Sequence, residues 1–358
     1  YTNTESSAAS DVYKRQKYDI VIIGGGLGGL ISGLILSKEG MSVCILEQHH
    51  KPGGNLQSFT RDGCVFDTGM HYIGSLGEGQ YLHRYFKYFD ITERLKFRQL
   101  DLEGYDTISF NNDDNEYKMS QGYDRFIADL HRSFPDEKDS LEAYIKKIRS
   151  IVSVFPFVRL EETQSYTIDL NMMRECSSHF FNGLTHNDRL RNVLGSALSL
   201  YPGHAAQTPL YVHACMRDSL INSCWKPVGG SQQIADAFVE KITENGGKVL
   251  TAHQVKKILV NDDNKAEGVL LQNNEKIFAE KIISNAHPVS TMKLIEEGKI
   301  RKVFRKRIMG LKNTQGAFTI YAVLKKNSFP YLNRNYFHYA NAGALHSTEG
   351  GEKWPENF

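Results

Sequence analysis

Five residues near the start of the chain have the types and spacing to hold a dinucleotide. Gly24, Gly26 and Gly29 form a G-x-G-x-x-G turn with Gly28 inside it, and Glu47 follows downstream. The first glycine permits the tight turn, the second lets backbone approach a pyrophosphate, and the third lets a helix pack on a sheet. A helix opening at that turn offers free N–H groups and the positive end of its dipole to the phosphates. The Glu47 carboxylate can accept both hydroxyls of an adenosine ribose, and it repels a 2′-phosphate, which argues against NADP in this site.

That chemistry needs a strand, a helix and a second strand in register. Tyr18 to Ile23 is a short apolar run suited to a buried parallel strand, Leu27 to Lys38 reads as helix, and Ser42 to Leu46 as a second buried strand ending at Glu47. The uncharged stretch Ile20 to Ser37 has the length of a membrane span, but the triple glycine Gly24-Gly25-Gly26 inside it reads as strand, turn and helix instead. The unit is the opening of a Rossmann-like fold, and on its own it leaves FAD and NAD both open.

Beyond it, Lys51-Pro52-Gly53-Gly54-Asn55 is a loop. From about Glu78 to Leu220 the texture changes: Thr107 to Phe110 and Glu116 to Met119 read as a hairpin around 111–115, and Asp124 to Arg132 and Lys138 to Val154 as helices. After Pro227 the α/β pattern returns, with a helix at Gln232 to Glu244, strands at Lys248 to Thr251 and Val255 to Val260 around a short turn, and a hairpin of Glu267 to Gln272 with Glu275 to Phe278. Ala317 to Leu324 reads as a late strand.

Composition narrows the classes. Lys plus Arg number 43 against 41 for Asp plus Glu, so no strong field attracts nucleic acid. The five cysteines are scattered without a C-x-x-C pair, which fits reduced thiols in a cytoplasmic setting. No H-E-x-x-H or other metal-ligand spacing is present, and no metal is expected. Residues 1–17 are polar and Ser-rich and are expected to be a disordered leader. Lys299, Arg301, Lys302, Arg305, Lys306 and Arg307 crowd one expected helix, either as a solvated basic face or as a peripheral contact with anionic lipid. His213 and Lys226 are weighed as a core histidine and a surface cation against functional roles, and Phe155 and Phe157 as core filling against a channel lining. Oligomeric state is open.

A resemblance adds what spacing cannot. Glu47, then Pro52-Gly53-Gly54-Asn55, then Phe66-Asp67-Thr68-Gly69 resembles the flavoprotein superfamily of amine oxidases and phytoene desaturases. Within it, Phe66-Asp67-Thr68-Gly69-Met70-His71-Tyr72-Ile73-Gly74 and Trp225-Lys226-Pro227-Val228-Gly229-Gly230-Ser231 are similar to blocks of its carotenoid and retinoid branch, in particular the retinol-saturase-like members. Ser284-Asn285-Ala286-His287-Pro288 resembles that group's return strand.

The resemblance implies FAD, with Gly53, Gly54 and Asn55 along the cofactor, Gly69 and Met70 near the flavin ring, and the backbone at Val255 against adenine. It implies a Rossmann-like FAD/NAD(P)-binding domain of glutathione-reductase type, from 18–75 and 221–300, with an inserted α+β substrate domain from 76–220 and 301–358. His71 and Tyr72 are the candidates for touching ring or substrate, with packing in the domain core as the alternative reading. The implied reaction is hydride transfer through flavin N5 to or from a carbon–carbon bond of an apolar polyene, with NAD(P)H as a candidate external donor. A carotenoid cis–trans isomerase, an amine oxidase and a non-catalytic fragment are the alternatives. The chain departs from the group at Asn55, where many relatives carry Arg or Lys, and it shows no closing C-terminal Gly-rich segment, so 301–358 is expected to be incomplete.

Overall fold

The computed structural model describes residues 17–160, 170–200, 208–313 and 317–339. Residues 1–16 of the expected leader, 1–17, lie outside them, whereas Lys17 opens the first strand; 340–358 of the segment 301–358 also lies outside them. The chain divides into two compact units: Tyr1–His71, Tyr88–Lys96 and Gly229–Asn313 form the first, and Tyr72–Lys87, Phe97–Val228 and Thr314–Phe358 the second.

The first unit is built on a six-stranded sheet. In spatial order its strands are Lys248–Leu250, Val43–Leu46, Lys17–Ile23, Lys276–Ser284, Ala266–Leu271 and Val255–Val260. The first four run parallel, with Ile23 level with both Leu46 and Ser284, and the last three form an antiparallel meander. Alternation sorts the central strands: Ile22 and Ile45 face the helix Leu27–Lys38, while Val21, Ile23, Cys44 and Leu46 share a core with Val255, Ile258, Val269 and Leu271 of the meander.

Those facts fix the path of the meander. Only residues 251–254 link Lys248–Leu250 to Val255–Val260, a reach of at most about 18 Å. The two strands are opposite edges of the sheet, which in a flat sheet would stand about 24 Å apart. The meander therefore curls back over the parallel strands, and the shared core lies between. The short turn read between strands at Lys248 to Thr251 and Val255 to Val260 is therefore a crossover between strands that do not pair, the first of them ending at Leu250.

Two helices cover the other face, Leu27–Lys38 and Gln232–Glu244. The first is apolar nearly all round, as a buried helix must be. The segment Tyr88–Lys96, read as part of the insert, packs with this unit: Phe89 meets Phe238 edge-on, and Arg94 and Asp90 pair with Glu240, Glu244 and Lys241 of the second helix. Residues 301–313 also group with this unit.

A hairpin of Ser58–Arg61 and Cys64–Asp67 was not foreseen, although its Asp62-Gly63 tip, with both residues at positive φ, is a strong hairpin signal.

Among the described residues, the second unit holds two three-stranded sheets. One orders Asn335–Tyr339, Asp106–Phe110 and Asp113–Met119; the other orders Ile73–Gly74, Cys224–Pro227 and Phe97–Gln99. The helices Tyr123–Ser133, Lys138–Val152 and Leu210–Asn222 pack around Phe126, Tyr144 and Phe181. The expected hairpin is present, with its turn shortened to Asn111-Asn112. The expected strand at Ala317 to Leu324 does not form among the described residues. Phe318 and Ile320 are 75% and 78% exposed, and no described strand pairs with them. The run is rich in apolar and β-branched residues, but a strand needs a partner edge.

Candidate cofactor site

The carboxyl ends of the parallel strands carry the site. Gly24 holds φ +99°, a left-handed value that only glycine adopts without strain, and its N–H donates to Leu46 O at 2.8 Å. Gly29 is required by contact: a Cβ there would stand 2.1 Å from the Gly24 carbonyl oxygen. Gly26 is the helix N-cap and brings no side chain to the first N–H groups, leaving them open to a ligand.

Glu47, 9% exposed, directly follows the second strand, Val43–Leu46. Its Oε2 accepts the Gly25 N–H at 2.7 Å and its Oε1 the His49 N–H at 2.8 Å. Each oxygen keeps a lone pair for a further donor, so a ribose diol can be taken without breaking either bond.

The remaining candidates converge on this turn. Gly53 N–H donates to Gly25 O at 2.7 Å, and Gly53 bridges Gly26, which brings Gly54 beside it. Asn55 O accepts the Met70 N–H at 3.1 Å, and Gly69 lies against Asn55. Val255 begins its strand just after His253, whose N–H donates to Glu47 O at 2.8 Å. The structure thus groups Gly24, Gly26, Gly28, Gly29, Glu47, Gly53, Gly54, Asn55, Gly69, Met70 and Val255 within the first unit. An acceptor-only carboxylate beside side-chain-free backbone fits the adenosine and phosphates of a dinucleotide.

His71, exposed, ends that stretch of the first unit. Tyr72 belongs to the second unit, where it packs on the apolar core and donates its hydroxyl to Asp106 Oδ2 at 3.1 Å. Burial, then the Asp106 charge, pushes the Tyr72 phenol far above its ordinary range. His213 is fully buried against Tyr144, its Nε2 2.8 Å from the hydroxyl, and burial holds it well below the usual imidazole range, hence neutral. Lys226 and Arg98 stack over Tyr331. Phe155 is buried against Tyr211, and Phe157 is exposed. In the basic helix, observed at Lys302–Met309, Arg305 donates to Ile295 O while Lys302, Lys306 and Arg307 are exposed.

Two polar clusters had no contacts assigned to them from the sequence. Asp67 Oδ1 accepts Ser58 Oγ at 2.7 Å, Ser231 N–H at 2.7 Å and Ser231 Oγ at 2.8 Å, tying the hairpin to the start of the helix Gln232–Glu244. Gln232 Nε2 in turn holds Pro52 O at 3.0 Å and so steadies the Gly53-Gly54 loop. The second is Arg217, fully buried in the second unit on Tyr105 and Leu194 O. Neither pairing is local in sequence.

Sheet, turn, acid and converging loops define a Rossmann-like dinucleotide-binding unit of the flavoprotein kind. The chain belongs to the family of flavin-containing amine oxidoreductases, which matches over residues 27–317, and a flavin is the cofactor this membership implies. It is 30% identical over 313 residues to human all-trans-retinol 13,14-reductase, covering 80% of this chain and 50% of that protein. It is 29% identical over 317 residues to prolycopene isomerase 2 of an Oncidium hybrid cultivar, covering 83% and 52%. The fold is shared with an oxidoreductase from Methanosarcina mazei at TM-score 0.60 and 19% identity, over 82% of this chain and 65% of that one. The resemblance read from the sequence blocks is upheld. The chain spans about half the length of the curated relatives it matches. No described helix is long and apolar enough to cross a membrane.

Proposed function

We propose that this chain binds FAD in its first unit and serves an oxidoreductase acting on carbon–carbon double bonds of an apolar polyene. The observation that carries the cofactor reading is the Glu47 carboxylate, held by Gly25 and His49 with a lone pair left on each oxygen, beside the open N-terminus at Gly26. The substrate reading rests on relatives named for a retinoid and a carotenoid. When bound, the flavin supplies hydride exchange with a substrate carbon through its N5. The chain's own work is to bind and orient: Glu47 takes the ribose, the helix N-terminus and glycine turn take the phosphates, and Gly69 and Met70 border the ring. NAD(P)H as external donor, and contact of Lys302, Lys306 and Arg307 with an anionic membrane surface, belong to the same proposal.

The test is the visible spectrum of the purified chain before and after heat release. Flavin bands, with FAD in the supernatant, support the reading; a colourless protein that takes up no added FAD overturns it. Isomerisation is the second reading, favoured by the prolycopene isomerase match. With a polyene supplied, saturation adds two hydrogens to the product mass and isomerisation leaves it unchanged.

Glu47→Ala is expected to weaken FAD binding by about 1.5–3 kcal/mol, the range for hydrogen bonds to a charged group. Flavin fluorescence titration reads this as roughly one to two decades in Kd. Unchanged affinity would move the adenosine elsewhere.

A further inference from the structure

The glycine turn contains no cation. Residues 24–29, 52–55, 69–71 and 285–288 carry neither Lys nor Arg, and the adjacent Lys51 donates to Ser58 O at 3.4 Å, so the side-chain donors within these segments are those of Asn and His. One such side chain is in place. Asn285 follows the strand Lys276–Ser284, and its N–H donates to Ile23 O at 2.8 Å, which puts it level with the start of the turn.

Its carboxamide lies across the first turn of the helix Leu27–Lys38. A Cβ on Gly26 would stand 3.1 Å from Asn285 Nδ2, one on Gly28 2.7 Å from Oδ1, and one on Gly29 3.2 Å from Nδ2. Three glycines of the turn therefore leave room for this amide as well as for the helix packing. Asn285 is exposed, and among the described residues its side chain makes no hydrogen bond, so its two N–H donors are available beside the uncapped helix N-terminus. Its neighbour His287 is already engaged, capping Val289.

The geometry points to Asn285 as a cofactor-binding residue that donates its amide to the pyrophosphate of the dinucleotide. This rests on the dinucleotide reading of the first unit. A neutral amide suits the place: it adds a donor to the oxygens without a charge to attract the Glu47 carboxylate across the turn.

The test uses the whole chain and two probes, ADP and adenosine, with affinities measured by calorimetry. Adenosine presents the ribose to Glu47 but no phosphate. Asn285→Ala is expected to weaken ADP roughly ten-fold and leave adenosine unchanged. Asn285→Asp keeps the shape, removes the donors and adds a negative charge, and should weaken ADP further still. Glu47→Ala should weaken both probes. If the parent prefers ADP to adenosine and both Asn285 variants bind ADP as the parent does, the inference fails while the dinucleotide reading stands. If both probes weaken equally in the Asn285 variants, the residue is a packing element and the inference also fails. If the parent binds neither probe, the dinucleotide reading falls and takes the inference with it.

Discussion

Gly29→Ala should leave the purified chain without flavin and lower its unfolding temperature. The added methyl would sit 2.1 Å from the Gly24 carbonyl oxygen and 3.3 Å from its carbon, a distance no carbon tolerates. The obstacle is backbone, and that backbone is anchored: Gly24 donates to Leu46 O and Gly25 to Glu47 Oε2. The helix cannot retreat easily either, because Gly33 already brings it close enough that a Cβ there would meet Ile45 Cδ1 at 2.6 Å. Relief must come from shifting the turn or the helix, at a cost of about 1–3 kcal/mol or more. For a unit of this size that is a fall of roughly 3–10 °C in Tm. The same shift moves the first N–H groups and the Glu47 carboxylate out of register, so cofactor affinity should fall at least as far. Gly183→Ala is the control, since nothing lies within 4 Å of its Cβ and alanine favours a helix. Thermal unfolding with flavin absorbance on the three proteins decides the matter. A Gly29→Ala protein that is yellow and melts with the parent would mean the turn is not held as described.

The parts of this architecture that could be read from sequence are those whose cause is local. Leu27–Lys38 and Gln232–Glu244 are bounded as expected because glycines stand at their ends. The strand Lys17–Ile23 reads well because its Ile20–Ile23 stretch, buried on both faces, is apolar throughout. Convergence of the Gly53-Gly54 and Gly69-Met70 loops on the turn was available only through resemblance, since the bonds that join them link distant residues. The curl of the meander was not legible at all, because it follows from sheet order rather than from any residue's type. Arg217 would be taken from sequence as a solvated helix residue, yet its hydroxyl partner Tyr105 lies far back in the chain, just before the strand Asp106–Phe110. The expected strand at Ala317 to Leu324 failed for the converse reason: the pattern was right for a strand, but pairing depends on an edge the pattern does not contain.

Asp106 supplies the second large effect, and it is a dependence on pH. The residue opens the strand Asp106–Phe110 in the second unit and is almost fully buried. Burial raises its carboxyl from 3.8 to about 6, against the pull of Asn335 Nδ2 at 2.8 Å, the Arg217 charge and the Tyr72 hydroxyl at 3.1 Å. Tyr105 and Cys224 are its other titratable neighbours, and both are pushed upward and stay neutral through this range. A carboxyl raised on folding binds its proton more tightly in the folded state. The stability it contributes is therefore full below about pH 4 and is lost as pH rises through about 6, by up to about 3 kcal/mol. Asp106→Asn cannot titrate, so the stability of the variant relative to the parent should rise by that amount between pH 4 and pH 7. Taking the difference removes the contributions of other carboxylates, such as Asp218, which burial also raises. Urea unfolding at a series of pH values, followed by tyrosine fluorescence, provides the measurement. A flat difference would mean that Asp106 stays ionised in the fold, so that Arg217, Asn335 and Tyr72 together outweigh its burial and the buried cluster is an ion pair rather than a neutral acid beside a lone cation.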